Sequence, residues 1–208
     1  MLTICWAAKG GSGTTVFAAA KALATPSPTL VVDLAGDVPA VLGLPDLEGP
    51  GIHDWFGSES PAERLSLLEH RVTDHVAVIT SGRRGTEPGQ RWYELAAHLR
   101  TEQRHVVVDA GTGRPPDALV AAAGESLLVT RACYLALRRA VETGVTPTGI
   151  VLVDEPGRSL RAADVEASLG APVVSTSLLD PAIARAADAG LLASRLPGGW
   201  RRQLRRAA

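Results

Sequence analysis

Seven short apolar runs, each of strand length, recur along the chain with helix-length stretches between them. They are Leu2–Ala7, Thr29–Asp33, Val76–Ile79, His105–Asp109, Ser126–Thr130, Gly149–Val153 and Pro172–Ser175. A strand with one wet face alternates apolar and polar residues; runs rich in Val, Ile and Leu without that alternation read as strands covered on both faces. The intervening stretches carry a helical period. Val16, Ala19, Ala20 and Leu23 recur at i, i+3, i+4 and i+7, and Trp92, Leu95, Ala96 and Leu99 repeat the spacing, which puts one apolar stripe on each helix. Glu63–Glu69, Pro116–Ala123, Cys133–Glu142, Ser159–Leu169 and Pro181–Ala189 read as further helices. Ser159 and Asp180 suit N-caps, Pro181 suits a first helical position, and Gly144, Gly170 and Gly190 fall where helices stop. The alternation predicts an α/β fold: one domain over 1–208, with a mainly parallel seven-stranded sheet and helices on both faces. Ligands of such sheets bind beyond the carboxyl ends of the strands. The Pro- and Gly-rich stretch Gly36–Gly51 reads as a long loop on that face.

Composition excludes several classes. A length of 208 residues suits a single core. Hydrophobic residues at 46% and charged residues at 21% exclude a mostly disordered chain. With 21 basic against 22 acidic side chains, the net charge of −1 argues against a protein that coats nucleic acid with its whole surface. Lysine occurs only at Lys9 and Lys21, the other basic residues being arginine, a bias that reads as genomic base composition. Cys5 and Cys133 make no disulfide framework, and His53, His70, His75, His98 and His105 show no metal-ligand spacing. No apolar run reaches the roughly 18 residues of a membrane span, and the N-terminus lacks the charged start of a secretory signal. The expectation is a soluble cytoplasmic domain.

The chemistry gathers after the first strand, in Ala7-Ala8-Lys9-Gly10-Gly11-Ser12-Gly13-Thr14-Thr15. Glycines allow a tight turn with unobstructed backbone N–H groups, which together with the positive end of the following helix make an anion cradle. The alternative is a Gly-rich turn without a ligand. The strict phosphate-loop pattern has Gly where Ala8 stands and Lys where Thr14 stands.

The stretch from Lys9 to Thr15 resembles the deviant Walker A loop of the ParA/MinD superfamily, normally KGGxGKT. The resemblance implies a P-loop NTPase-like domain that holds ATP and Mg²⁺. Gly10, Gly11, Ser12, Gly13, Thr14 and Thr15 would cradle the phosphates, and the Thr15 hydroxyl would ligate the metal. Lys9 matches the signature lysine, which in the family reaches the partner subunit's nucleotide in a sandwich dimer; otherwise it is a surface lysine. Val31-Val32-Asp33-Leu34 is similar to the strand entering switch I, which gives Asp33 a place beside Lys9 in the catalytic set. Val107-Val108-Asp109-Ala110-Gly111 is similar to the Walker B and switch II strand, with Asp109 supporting Mg²⁺ or else capping a turn. Val151-Leu152-Val153-Asp154 fits the strand that usually ends in a base-reading Asn; Asp154 would accept from an adenine amine or is a plain loop carboxylate. Leu179 to Ala184, followed by Ala189-Gly190, resembles the closing segment.

Two departures bear on activity. Thr14 replaces the loop lysine, and losing a charge-assisted hydrogen bond costs roughly 1.5–3 kcal/mol. Switch I usually reads VDxDxQ, and Ala35 stands at its second acid, with Asp37 nearby. Phosphoryl transfer depends on positioning and charge, so two missing parts imply weak or absent hydrolysis. The expectation is a degenerate member, of the CpaE/TadZ-like kind, acting as a spatial-positioning or assembly scaffold with weak or lost ATP and Mg²⁺ binding. The alternatives are a slow nucleotide-gated ATPase dimer switch for partitioning or positioning, and an ATP-dependent biosynthetic enzyme of the same superfamily, against which Thr14 and Ala35 count. Expected partners are a second copy, as a homodimer or higher homo-oligomer, and a protein of the positioned machine. Arg83-Arg84 suit phosphate or a partner, or solvent. Trp55-Phe56 suit a core anchor or an exposed contact. The basic Trp200–Arg206 stretch reads as a last helix, with peripheral contact to membrane or nucleic acid as the alternative.

Overall fold

The computed structural model describes residues 1–45, 47–83, 85, 87–178, 181–200 and 204, with backbone alone at 177 and 178. In chain order the elements are β1 (Leu2–Ala7), α1 (Thr14–Ala24), β2 (Thr29–Asp33), α2 (Val38–Leu42), α3 (Ile52–Phe56), a 3-10 helix (Ala62–Leu68), β3 (Glu69–Arg71) and β4 (Val76–Ile79). There follow α4 (Arg91–Thr101), β5 (His105–Thr112), α5 (Asp117–Ala122), β6 (Glu125–Arg131), α6 (Tyr134–Glu142), β7 (Gly149–Asp154), α7 (Ala162–Leu169), β8 (Val173–Leu178), α8 (Pro181–Asp188) and α9 (Leu192–Arg195). The sheet runs β3-β4-β2-β5-β1-β6-β7-β8 and is parallel except for the β3–β4 hairpin. The chain leaves β1 towards β2 on one side and returns later to β6 on the other. The carboxyl end of β1 is therefore the topological switch point, where open α/β sheets take their ligands.

Side-chain alternation explains the two-sided cover. Cys5, Val31 and Val107 point into a core with α1, α2, α8 and α9. Their neighbours Ile4, Leu30, Val32, Val106 and Val108 point into the opposite core with α3, α4 and α5. The central strands thus feed two cores and have no face left for solvent. Ile150 and Leu152 extend this pattern towards α7.

The sheet has eight strands rather than seven. The extra one, β3, follows directly on the stretch Glu63–Glu69 where a helix was expected; that helix is 3-10, over Ala62–Leu68. Glu-His-Arg carries no apolar signal. The strand forms because Val72 N–H donates to Val76 O at 2.9 Å and closes the hairpin. Arg104 then holds Glu69 through two 2.7 Å bonds. Two charged side chains on an edge strand also discourage pairing with another chain. The Gly36–Gly51 stretch is not wholly a loop, since it contains α2. Ser159 is not a cap: α7 starts at Ala162, with Asp164 accepting from the Arg161 N–H at 2.7 Å. Asp180 and Arg84 lie outside the described residues. Trp55 and Phe56 are core residues, at 4% and 7% exposure. In the C-terminal stretch Leu204 is buried and Trp200 packs against the same core; Arg201, Arg202, Arg205 and Arg206 lie outside the described residues.

Candidate nucleotide site

β1 ends at Ala7, and the loop that follows turns straight into α1 at Thr14. Gly11 and Gly13 have φ of 75° and 86°, a left-handed backbone that only glycine adopts cheaply. A Cβ at Gly10, Gly11 or Gly13 would meet nothing within 4 Å, so the loop borders open space. Ser12 is turned inward, and its hydroxyl donates to Lys9 O at 2.7 Å, which pins the loop. Gly13 caps α1 without a side-chain bond. The first-turn N–H groups therefore keep their donors, and the helix brings its positive end to the same place. Lys9 is half-exposed, and among the described residues its Nζ reaches only the neighbouring Gly10 O, at 3.4 Å. Thr14 is 6% exposed and Thr15 is half-buried.

Asp109 and Asp33 are register partners on β5 and β2, and both are fully buried. Asp109 Oδ1 accepts the Gly111 N–H at 3.0 Å. Burial raises the Asp109 pKa; the Thr15 hydroxyl and the Gly111 N–H oppose the rise, and the Asp37 charge adds to it. Although Thr15 is close enough to act on the carboxyl, Asp109 Oδ2 has no hydrogen-bond partner among the described residues. A buried, unpartnered carboxylate oxygen is costly unless a cation or proton meets it. Beside it, the β1–β5 register slips by one residue, Cys5 facing Asp109 and Ala7 facing Thr112. The extra residue belongs to β5, where Gly111 has φ of 68°. Gly113 N–H donates to Ala7 O at 2.8 Å and ties this bulge to the phosphate loop.

Asp33 is fully engaged. Its Oδ1 accepts from the N–H of Ala35 at 3.0 Å and of Gly36 at 2.7 Å, and its Oδ2 from Val38 at 3.2 Å. It therefore holds the turn into α2. Burial pushes its pKa up to about 6; the Gly36 N–H lowers it and Asp109 raises it. Ala35 lies against the bulge: a Cβ on Gly111 would sit 3.0 Å from the Ala35 methyl. At this point the turn after β2 touches the β5 bulge, and the contact is a methyl, without an acid.

Lys9, Gly10 to Thr15, Asp33 and Asp109 are thus brought together, while Asp154 ends β7, two strands from β1. Two relations escaped the sequence reading. Asp37, noted there only as an acid near Ala35, is exposed ahead of α2 and near enough to act on Asp109. Glu155 pairs with Arg131 and with Arg158, the latter at 2.7 Å; the i, i+3 spacing of Glu155 and Arg158 was its one visible sign.

The residues fit a magnesium nucleotide. Open glycines and uncapped N–H groups suit phosphate oxygens, and the Thr15 hydroxyl with the free Asp109 oxygen suits a hard cation.

The fold is similar to that of a ParA family ATPase from Chlorobium tepidum, with 17% identity, a TM-score of 0.74, and 98% of this chain and 96% of that one covered. It is similar also to the cell division ATPase MinD of Pyrococcus furiosus, with 21% identity, a TM-score of 0.77, and 99% and 95% covered. The septum site-determining protein MinD of Pyrococcus horikoshii, solved with Mg-ADP, gives 19% identity, a TM-score of 0.75, and 100% and 94% covered. No family model matches the chain, and no curated protein matches it in sequence. The chain has the single-domain α/β fold of the ParA and MinD ATPases, with a mostly parallel sheet of eight strands.

Proposed function

We propose that this chain is a degenerate member of the ParA/MinD superfamily, which binds ATP with Mg²⁺ weakly and works as a spatial-positioning or assembly scaffold. The observation that carries the reading is a site preserved by halves. The metal half remains, with Thr15 beside an Asp109 oxygen that lacks a partner. The half that stabilises transferring charge is depleted: Thr14 stands for the loop lysine, and the switch contact at Gly111 is the Ala35 methyl. Bound Mg²⁺ supplies charge neutralisation to the phosphates. The chain's own part is to orient them on the N–H groups of Gly10 to Thr15 and to hold the switch turn through Asp33.

A specific observation keeps a second reading in play, a slow nucleotide-gated dimer switch. Asp37 carries an acid to the rim of the site, two residues beyond Ala35, and its charge is felt at Asp109. In either reading the protein meets a partner of the machine it positions, acts in the cytoplasm, and any membrane or nucleic-acid contact is peripheral.

Calorimetry with ATP and Mg²⁺ tests the binding, together with Thr14→Lys. The wild type should bind in the micromolar to millimolar range, and the substitution should tighten binding roughly ten- to a hundredfold by returning a charge to the phosphates. Hydrolysis should stay slow, because position 35 still lacks its acid. No heat and no thermal shift at millimolar ATP would remove nucleotide from the reading and leave a pure scaffold; rapid turnover from the single change would show the switch I argument to be wrong.

A further inference from the structure

Thr14 leaves the first turn of α1 without a cation, and the strand beside the loop carries one. Arg131 is the last residue of β6, the neighbour of β1. The β1–β6 register pairs Cys5 with Leu127 and Trp6 with Leu128. Continued for three residues, it sets Arg131 level with Lys9, where the loop begins, one strand spacing of about 4.8 Å to the side. The face is also the right one. Leu127 and Val129 point into the core shared with α1, and alternation turns Arg131 the same way. Its register partner on β7, Val153, packs against that core too. Asp154 follows Ile150 and Leu152 to the opposite face.

Arg131 is loosely held for a half-buried charge. One bond from Nη1 to Glu155 Oε1 engages its guanidinium, while its Nε is buried and has no partner among the described residues. A buried N–H on a charged group is costly unless an acceptor meets it. Glu155 does not depend on Arg131, because its Oε2 accepts from Arg158 through both Nε, at 2.7 Å, and Nη2. Two guanidiniums on one carboxylate leave one positive charge unneutralised. Glu155 is thus a resting partner that a more highly charged anion displaces.

The metal half of the site lies on the other side of β1. Thr15 and Asp109 suit a cation set against the outer two phosphates of ATP, and the buried acids Asp109 and Asp33 occupy the ends of β5 and β2. The phosphate next to the sugar is left on the β6 side, where Arg131 stands. A guanidinium presents a planar fork of donors that suits phosphate oxygens. We infer that Arg131 binds the sugar-side phosphate, leaving Glu155 to Arg158 as it does so. ATP and ADP both carry that phosphate, so the contact retains a nucleotide without telling the two apart, as suits a scaffold rather than a gate. The inference rests on the nucleotide-binding reading above and adds a binding residue to it.

Calorimetric titration of the full chain with Mg²⁺ and ATP or ADP tests it, on wild type, Arg131→Gln, Glu155→Gln and the double variant. Arg131→Gln should weaken ATP and ADP by the same factor, roughly tenfold or more, the scale of a charge-assisted bond. Glu155→Gln should tighten both about two- to fivefold, because it releases Arg131 from its ion pair. That gain should vanish in the double variant. An ion pair that only braces the ends of β6 and β7 cannot give this pattern, since losing either partner would loosen the site alike. Thermal melts confirm that the variants fold; should Arg131→Gln fail to, Arg131→Lys keeps the charge without the fork and should show a smaller loss. Unchanged affinity in the position-131 variant, or equal weakening in both single variants, overturns the inference and leaves nucleotide binding intact. A loss confined to ATP overturns the placement at the sugar-side phosphate. No heat from the wild type with either nucleotide defeats both the inference and the reading beneath it.

Discussion

Asp33 and Asp109 face each other across two buried strands, and the cost of that arrangement can be read in a titration. Asp33 has a pKa of about 6 against the usual 3.8, chiefly because burial disfavours the charged form. The N–H groups of Gly36, Val38 and Ala35 offset only part of this, and Asp109 works against them. A carboxyl raised in the folded state holds its proton more tightly folded than unfolded. The stability it contributes is therefore present below about pH 4 and lost as pH rises through about 6. Asp109 is raised too and acts with the same sign. Glu102, lowered to about 2 by Arg104, acts with the opposite sign, but equally in wild type and in a variant at position 33. In urea melts between pH 4 and 7, the stability of the wild type relative to Asp33→Asn should fall by on the order of 3 kcal/mol. A flat difference would mean that Asp33 titrates like an exposed aspartate. The sequence placed both acids at strand ends but could not show that one is saturated with N–H donors while the other keeps a free oxygen. That distinction depends on how the backbone turns after each strand.

At the scale of elements, α2 shows what the sequence concealed. Five residues including Pro39 are too few to display a helical period, so Gly36–Gly51 read as a loop. The helix exists because Asp33 accepts the Val38 N–H at its start and Gly43, with φ of 80°, ends it. It is also pressed against the end of α8: a Cβ on Gly43 would lie 1.7 Å from Gly190 O. Gly43→Ala should therefore cost roughly 2–4 kcal/mol, through both the left-handed backbone and the backbone clash. Gly57→Ala, where φ is −81° and the nearest atom is 3.6 Å away, should stay within about 0.5 kcal/mol. Equal costs in a denaturant titration would mean that α2 is not clamped to α8. The strands were legible for the opposite reason. Leu2–Ala7, Thr29–Asp33 and Val76–Ile79 fall at their expected bounds because strands feeding two cores are mostly apolar. β3 was not legible, since Glu69, His70 and Arg71 are held by a hairpin and an ion pair. β5 runs on to Thr112 because of a bulge that no apolar pattern records.

For the whole molecule the open question is how the site-bearing face is covered. Lys9, the Asp33 to Gly43 segment and the bulge at Gly111 all lie at the carboxyl ends of the central strands. Among the described residues Lys9 has no anchor beyond the neighbouring Gly10 carbonyl, so its ammonium can meet a charge brought by another molecule. With Thr14 unable to supply a cation, a nucleotide held here would, on the proposed reading, draw charge from the Lys9 of a second copy if two copies dock face to face. If dimerisation depends on nucleotide, Lys9→Ala weakens dimer and nucleotide binding together, because the two are linked and each shifts the other by the same factor. If the chain is a scaffold, it assembles without nucleotide, and Lys9→Ala changes little. Light scattering on wild type and Lys9→Ala, each with and without ATP and Mg²⁺, separates the two. We expect assembly without nucleotide, since a site without the loop lysine and the second switch acid is a poor gate. A dimer that forms only with ATP and fails in Lys9→Ala would favour the switch instead, and a monomer under all four conditions would defeat both.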